Sequence, residues 1–126
     1  MNEEYFETVF LFSGIIEKAT PSFAILTAFN PMDQLLSLDE NKMRNLQLFH
    51  ALCDIEKSIT RIIGSSTDHS HQEPSFLVDC TQQEAMELGK EFQQRAFFWV
   101  SNDQLEIIDC TTGISHPAGS FRMRIR

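Results

Sequence analysis

The chemistry this chain can do centres on Glu73. Around that carboxylate the sequence supplies Thr27, Asn30, Asn41, Ser75, Gln94 and Arg95: hydroxyls, amides and a guanidinium. Glu73 stands directly before Pro74, and the proline ring pushes the preceding residue toward extended geometry. A carboxylate held near Phe76 and Trp99 is partly desolvated. Desolvation raises its pKa toward the range useful for general acid or base work, with Ser75 or Arg95 assisting. The structural alternative, which is favoured, has Glu73 accepting hydrogen bonds from the Asn30 loop or pairing with Arg95, since ion-pair networks also perturb carboxylates. Asn41 and Gln94 each donate and accept. With Thr27 they can read a base, a sugar or an amide, or satisfy loop backbone. Asn30 serves either as a turn former or as a ligand contact. Trp99 follows Phe97 and Phe98 and reads as core rather than as a stacking platform.

Other chemistries have weaker support. His69 and His71 flank a serine near Asp68 and Glu73, but zinc ligands are usually fixed by turns or helices at defined spacings. No metal and no cofactor is therefore assigned. No cysteine falls in a nucleophile motif, and there is no glycine-rich phosphate loop.

Composition narrows the class. The 126 residues, 42% hydrophobic and 22% charged, are enough for one folded domain with a real core. A net charge of −8 argues against a general nucleic-acid binder, which needs basic surface to displace counterions. Cys53, Cys80 and Cys110 are odd in number and lack CxxC spacing, as expected for reduced thiols in a cytoplasmic protein. Asn2-Glu3-Glu4 is acidic where a signal peptide would be basic. No apolar run approaches the length of a membrane span.

The elements that must position Glu73 follow from pattern. Tyr5 to Phe12 is rich in β-formers and predicts a strand, broken at Ser13-Gly14, with Ile15-Ile16 able to resume pairing and a turn at Thr20-Pro21-Ser22. Residues 23–28 form an apolar run that predicts a strand covered on both faces, stopped at Asn30-Pro31. Met32 to Leu38 is a loop. Ser37 or Asp39 caps a helix over 39–53, and Ser37 with Glu40 has capping-box spacing; the stripe of this helix reads as Met43, Leu46, Phe49 and Cys53, widened by Leu48 and Leu52, with Asn41 and Asn45 on the flank. Ile59, Thr60, Ile62 and Ile63 favour a strand over 57–63 against continuation of the helix. Residues 64–72 are a polar surface loop. A strand follows at 75–79. Thr81 and Glu84 form a second capping box for a helix over 82–94, with Ala85, Leu88, Gly89 and Phe92 on its inner face. Strands over 96–100 and 104–109 join through the turn signal Asn102-Asp103. Residues 1–110 thus read as one α+β domain. Residues 111–126 read as a tail, loop-like or an added edge strand, ending in an alternation of Arg with apolar residues that suits a strand or a disordered basic segment.

The order from residue 23 is βαββαβ, the ferredoxin-like arrangement, in a mostly antiparallel sheet extended by the N-terminal strand and the last hairpin strand. In strand order 4-1-3-2, the end of the first strand lies beside the start of the third. Thr27, Asn30, Asn41, Glu73, Ser75, Gln94 and Arg95 then converge on one rim.

The same residues carry a resemblance. Thr27-Ala28-Phe29-Asn30-Pro31, Asn41 at the head of a Leu-rich helix, Glu73-Pro74-Ser75-Phe76 and Gln94-Arg95-Ala96-Phe97-Phe98-Trp99 resemble the pattern of a family of small bacterial proteins whose domain has no assigned function. The likeness covers about residues 5 to 110, and Phe29 stands where Trp is common. It implies a shared polar rim without naming an activity. The expected function is a cytoplasmic binding or regulatory module taking a small polar ligand or a partner's chain terminus at that rim. One alternative is an enzyme using Glu73 as acid or base. The other is an adaptor acting through a sheet edge or the basic tail.

Overall fold

The computed structural model describes residues 3–12 and 21–126. The expected break at Ser13-Gly14, the segment Ile15-Ile16 and Thr20 lie outside the described residues. The elements are α1 (Glu4–Glu7), β1 (Val9–Phe12), β2 (Ser22–Leu26), α2 (Leu38–Asp54), β3 (Ile59–Ser65), β4 (Gln72–Val78), α3 (Gln82–Glu91), β5 (Ala96–Ser101), β6 (Gln104–Asp109) and β7 (Ser115–Ser120). The strands form a curled, antiparallel seven-stranded sheet in the order β1-β3-β4-β2-β5-β6-β7.

Local signals account for most boundaries. The Thr81 hydroxyl accepts from the Glu84 N–H, and the Glu84 carboxylate accepts from the Thr81 N–H, so the capping box of α3 is complete. Ser37 caps α2 by accepting from the Glu40 N–H at 3.1 Å. Asn102 and Asp103 both adopt left-handed φ, 48° and 68°, as a two-residue hairpin between right-twisted strands requires. Residues 59–65 are a strand, paired along their length with β4. The inner face of α3 is Ala85, Leu88, Gly89 and Phe92, all buried. Glycine lets this helix sit close to β6's end, because a Cβ on Gly89 would stand 2.7 Å from the Cys110 Sγ.

Both faces of the sheet are apolar, by the alternation of its strands. On one face Ala24, Leu26, Phe76, Val78, Phe97 and Trp99 pack under Leu48 and Leu52 of α2 and Ala85 and Leu88 of α3. On the other, inside the curl, Phe10, Phe23, Ile25, Ile62, Val100 and Leu105 form a second core with Phe121. Trp99 is thus core.

Several expectations are corrected. The strand expected from Tyr5 begins only at Val9, because residues 4–7 make a helical turn closed by the Thr8 hydroxyl on the Glu4 carbonyl. The stripe expected on α2 holds only in part: Leu48 and Leu52 are buried and Phe49 packs against the core. Met43 and Leu46 are 58% and 47% exposed, and Cys53 faces solvent. The buried face is Asn41, Asn45, Leu48 and Leu52, at i, i+4, i+7 and i+11. Two polar residues hold core positions because the neighbouring loop needs hydrogen-bond partners more than apolar contact. β4 begins at Gln72, so the loop after β3 is confined to residues 66–71.

The tail is an edge strand followed by a plug. β7 pairs with β6. Phe121 then enters the inner core, its ring 5.2 Å from Phe10 and 5.3 Å from Phe23. Ile125 bridges to Phe10 in parallel, and the Arg126 N–H donates to the Phe10 carbonyl. Arg124 donates to the carbonyls of Thr8 and Ala118, joining the two ends of the sheet. The alternating Arg residues therefore close the curl; they form neither a long strand nor a free tail.

Candidate functional site

The sheet opens locally where β2 and β4 part. They pair from Ala24↔Val78 to Leu26↔Phe76 and no further. Continuing that register would set Ser75 opposite Thr27 and Pro74 opposite Ala28, and the Pro74 nitrogen carries no proton to donate. The Pro74 carbonyl is instead bonded from two side chains, the Thr27 hydroxyl at 2.9 Å and the Asn45 amide at 2.7 Å. The proline before which Glu73 stands is thus also the point where β2 is released into the loop 27–36.

That loop is knitted by amides. The Asn45 oxygen accepts from the Ala28 N–H at 2.7 Å. Asn41 accepts from the Asn30 N–H and donates to the Asn30 side-chain oxygen, both at 2.8 Å. The same Asn30 oxygen accepts from the Leu36 N–H at 3.1 Å, closing the loop. Asn30 itself has φ 48° and ψ 69°, a left-handed conformation that asparagine tolerates better than most residues. Gln94, 7% exposed, donates to the carbonyls of Phe29 and Phe92. Arg44 donates to the carbonyls of Ala28 and Phe92 and so pins the loop to the end of α3; burial lowers its pKa. Among the described residues no buried side-chain nitrogen or oxygen lacks a partner. The amides predicted for the rim are therefore present at one end of the sheet, but their bonds go to the loop backbone, to one another and, from Asn30, to Glu73. Asn45 and Arg44 do as much of this work as the predicted residues, and sequence reasoning left both out of the site.

Inside the curl, next to this knot, lies a cavity of about 390 Å³. It is lined by Thr27, Asn30, Glu73, Ser75 and Gln94 of the predicted set, and also by Tyr5, Asp33, Ser65, His71 and Phe98. Asn41 and Arg95 do not line it. Glu73 and Ser75 face the cavity because they share the inner face of β4 with Leu77, two residues apart. The Asn30 side chain donates to Glu73 Oε1 at 3.1 Å, and His71 Nε2 lies 3.7 Å from the same oxygen. Burial pushes Glu73 above its ordinary value; His71 and the bond from Asn30 oppose that rise, and Asp33 adds to it. Ser75 donates to the Glu73 carbonyl at 2.9 Å.

The expected Glu73–Arg95 pair does not form. The Arg95 Nε is 2.9 Å from Asp33 Oδ2, because Asp33, the last residue of the tight Pro31–Asp33 turn, is set beside the start of β5. The Tyr5 hydroxyl donates to the other Asp33 oxygen at 2.8 Å, and its ring sits 6.0 Å from Phe98. Burial, then the bond to Asp33, raises the Tyr5 pKa, so the phenol stays protonated. Pattern alone places Tyr5 in a strand; its position at the cavity rests on a contact with a residue 28 positions away, which no local pattern signals.

Elsewhere, Asp68 accepts from Ser66 and from the Ser70 hydroxyl and N–H, which hold its pKa down at about 2 and fold the loop 66–71 on itself. Among the described residues, no cluster of three or more His, Cys, Asp or Glu side chains is placed to hold a metal ion, and no helix is long and apolar enough to cross a membrane.

Comparison with known proteins adds one finding. The model of a family described as a protein of unknown function (DUF3293) matches residues 26–97, and the chain belongs to that family. No curated protein and no solved structure matches it.

Proposed function

We propose that this family member is a binding module whose ligand, a small polar molecule, occupies the cavity inside the curl against Glu73. The observation that carries this reading is a half-buried carboxylate on the wall of a cavity of about 390 Å³, a volume typical of small-molecule sites. The neighbouring amides are bonded to the loop backbone, to one another and to Glu73, and the hydroxyl protons of Tyr5, Ser65 and Ser75 are bonded within the protein, so ligand recognition falls first to the Glu73 carboxylate, with His71 and the hydroxyl oxygens of Ser65, Ser75 and Tyr5 beside it. We read β2 through β5 as a ferredoxin-like core, supported by the order β3-β4-β2-β5. The free thiols of Cys53, Cys80 and Cys110 suit a reducing, cytoplasmic setting. Burial pushes Cys80 and Cys110 up to about 11, so neither is a nucleophile at neutral pH.

A thermal-shift screen of wild type and Glu73→Gln against nucleotides, amino acids, sugars and amines tests the reading. A ligand at 100 times its Kd stabilises by about 2.7 kcal/mol, which is a shift of roughly 10 °C for a chain of this size. The expected result is a shift present in the wild type and lost in Glu73→Gln. Ligands that shift both proteins equally would place binding elsewhere.

A catalytic reading has one observation behind it: Glu73 is raised by burial and stands within 3.7 Å of His71, a pair suited to proton transfer. It requires turnover of a bound ligand that Glu73→Gln abolishes while binding survives.

A further inference from the structure

The charges around the cavity are one-sided. Five carboxyl side chains line it, those of Glu4, Glu7, Asp33, Asp68 and Glu73, and among the described residues no lysine or arginine does. Resting on the pocket reading above, we propose that the ligand is a small organic cation, a primary amine or guanidine on an apolar or aromatic body, with its charge set against Glu73.

The carboxylates are not equivalent. Asp33 is committed through both oxygens, to Tyr5 and to Arg95. Asp68 is committed to its own loop. Glu73 is committed through one oxygen only: Asn30 and His71 both meet Oε1, and Oε2 makes no hydrogen bond or ion pair with the described residues. An acceptor left open on a cavity wall is where a donor cation gains most, because a charge-assisted hydrogen bond is about twice as strong as a neutral one.

The body of the ligand has matching surface. The Phe98 ring is packed edge-on by Phe10 at 5.1 Å and flanked by Tyr5 at 6.0 Å, so an aromatic wall stands beside the acidic one. Aromatic faces attract cations and stack on flat bodies. Among the charged side chains of the described residues that line the cavity, an anion would meet five carboxyl groups and His71, and like-charge juxtaposition in a partly enclosed cavity is strongly unfavourable. The volume, near 390 Å³, sits at the low end for ligand sites and limits the cation to a small molecule.

The test is a charge-matched series on one scaffold: tyramine, 4-ethylphenol and 4-hydroxyphenylacetate, with agmatine as a guanidine probe. Affinity is read by calorimetry, and location by amide NMR signals of Ser65, His71, Ser75 and Phe98. The expected result is binding of tyramine and agmatine that moves these signals and weakens by roughly 30-fold or more in Glu73→Gln, with 4-ethylphenol and 4-hydroxyphenylacetate much weaker. If 4-ethylphenol or 4-hydroxyphenylacetate binds there as tightly as tyramine, the cation assignment is overturned while the pocket stands. If neither cationic probe moves the signals at millimolar concentration, the assignment is also overturned. Failure of the whole screen described under Proposed function removes the pocket as well.

Discussion

Two regions meet where β2 ends and β4 begins, and they are built on opposite terms. The loop 27–36 is saturated: Asn30, Asn41, Asn45 and Gln94 place donors and acceptors on its backbone groups and on one another. The cavity wall beside it is unsaturated: Glu73 is half-buried, pushed toward protonation by its surroundings, and engaged at one oxygen. Buried polar networks rigidify when every member is paired. A strained carboxylate on a rigid scaffold is what a binding site requires, and proteins commonly give up stability at such points. The polar residues of the rim therefore divide into a frame and a working group, joined by the bonds from Asn30 to Glu73 and from Tyr5 to Asp33.

The largest effect should come from breaking the frame. Asn41→Ala leaves the Asn30 N–H without its buried partner, at about 1–3 kcal/mol, and takes one of two bonds from the Asn30 side-chain oxygen, which keeps the Leu36 N–H. Thermal unfolding should fall by roughly 10 °C. A variant melting within a degree or two of wild type would mean the loop holds itself by other contacts. Asn45→Ala strips the Ala28 N–H and the Pro74 carbonyl of one bond each; the Thr27 hydroxyl still serves the latter, so a smaller loss, about 1–2 kcal/mol by urea titration, is expected.

Glu73→Gln should move the other way. A carboxylate whose folded pKa is raised makes the folded state bind more protons than the unfolded state, so stability falls as pH climbs above the ordinary value of 4.5. Glutamine keeps an oxygen for Asn30 and removes that loss. The variant should melt roughly 2–5 °C above wild type at pH 7.5, with the gain shrinking toward pH 4, as melting curves across that range would show. Equal gains at every pH would point to packing rather than charge.

Tyr5→Phe should have the smallest effect on stability. It deletes one hydroxyl bond to Asp33 near the surface and keeps the ring on Phe98, so about 0.5–1 kcal/mol is expected. Its sharper readout is probe affinity: a loss there larger than the loss in stability would confirm Tyr5 as a member of the working group.

How much of this was legible follows from the range of each signal. Capping boxes, the Asn102-Asp103 turn and the inner face of α3 are local and were readable. The adjacency of β2 and β4, which brings Thr27 and Asn30 to Glu73, followed from element order. What escaped was long-range bonding. Periodicity put Met43 and Leu46 on the buried side of α2, because hydropathy cannot register that Asn41 and Asn45 are needed inside as partners for a loop on another element. The pairing of Arg95 with Asp33 and the arrival of Tyr5 over the cavity depend on where a tight turn and a four-residue helix end in space. The alternation of Arg with apolar residues at the terminus suits a strand or a tail, and its closing role depends on Phe121 reaching a core that includes Phe10 and Phe23 near the other end of the chain.

The most direct measurement is the titration of the Glu73 side-chain carboxyl, followed by carbon-13 NMR with Glu73→Gln identifying the signal. The account predicts a midpoint above the ordinary 4.5, falling when a cationic probe such as tyramine is present. A midpoint at or below 4.5 in the free protein would mean that Glu73 is a settled member of the hydrogen-bonded frame, and that the division between frame and site is wrong.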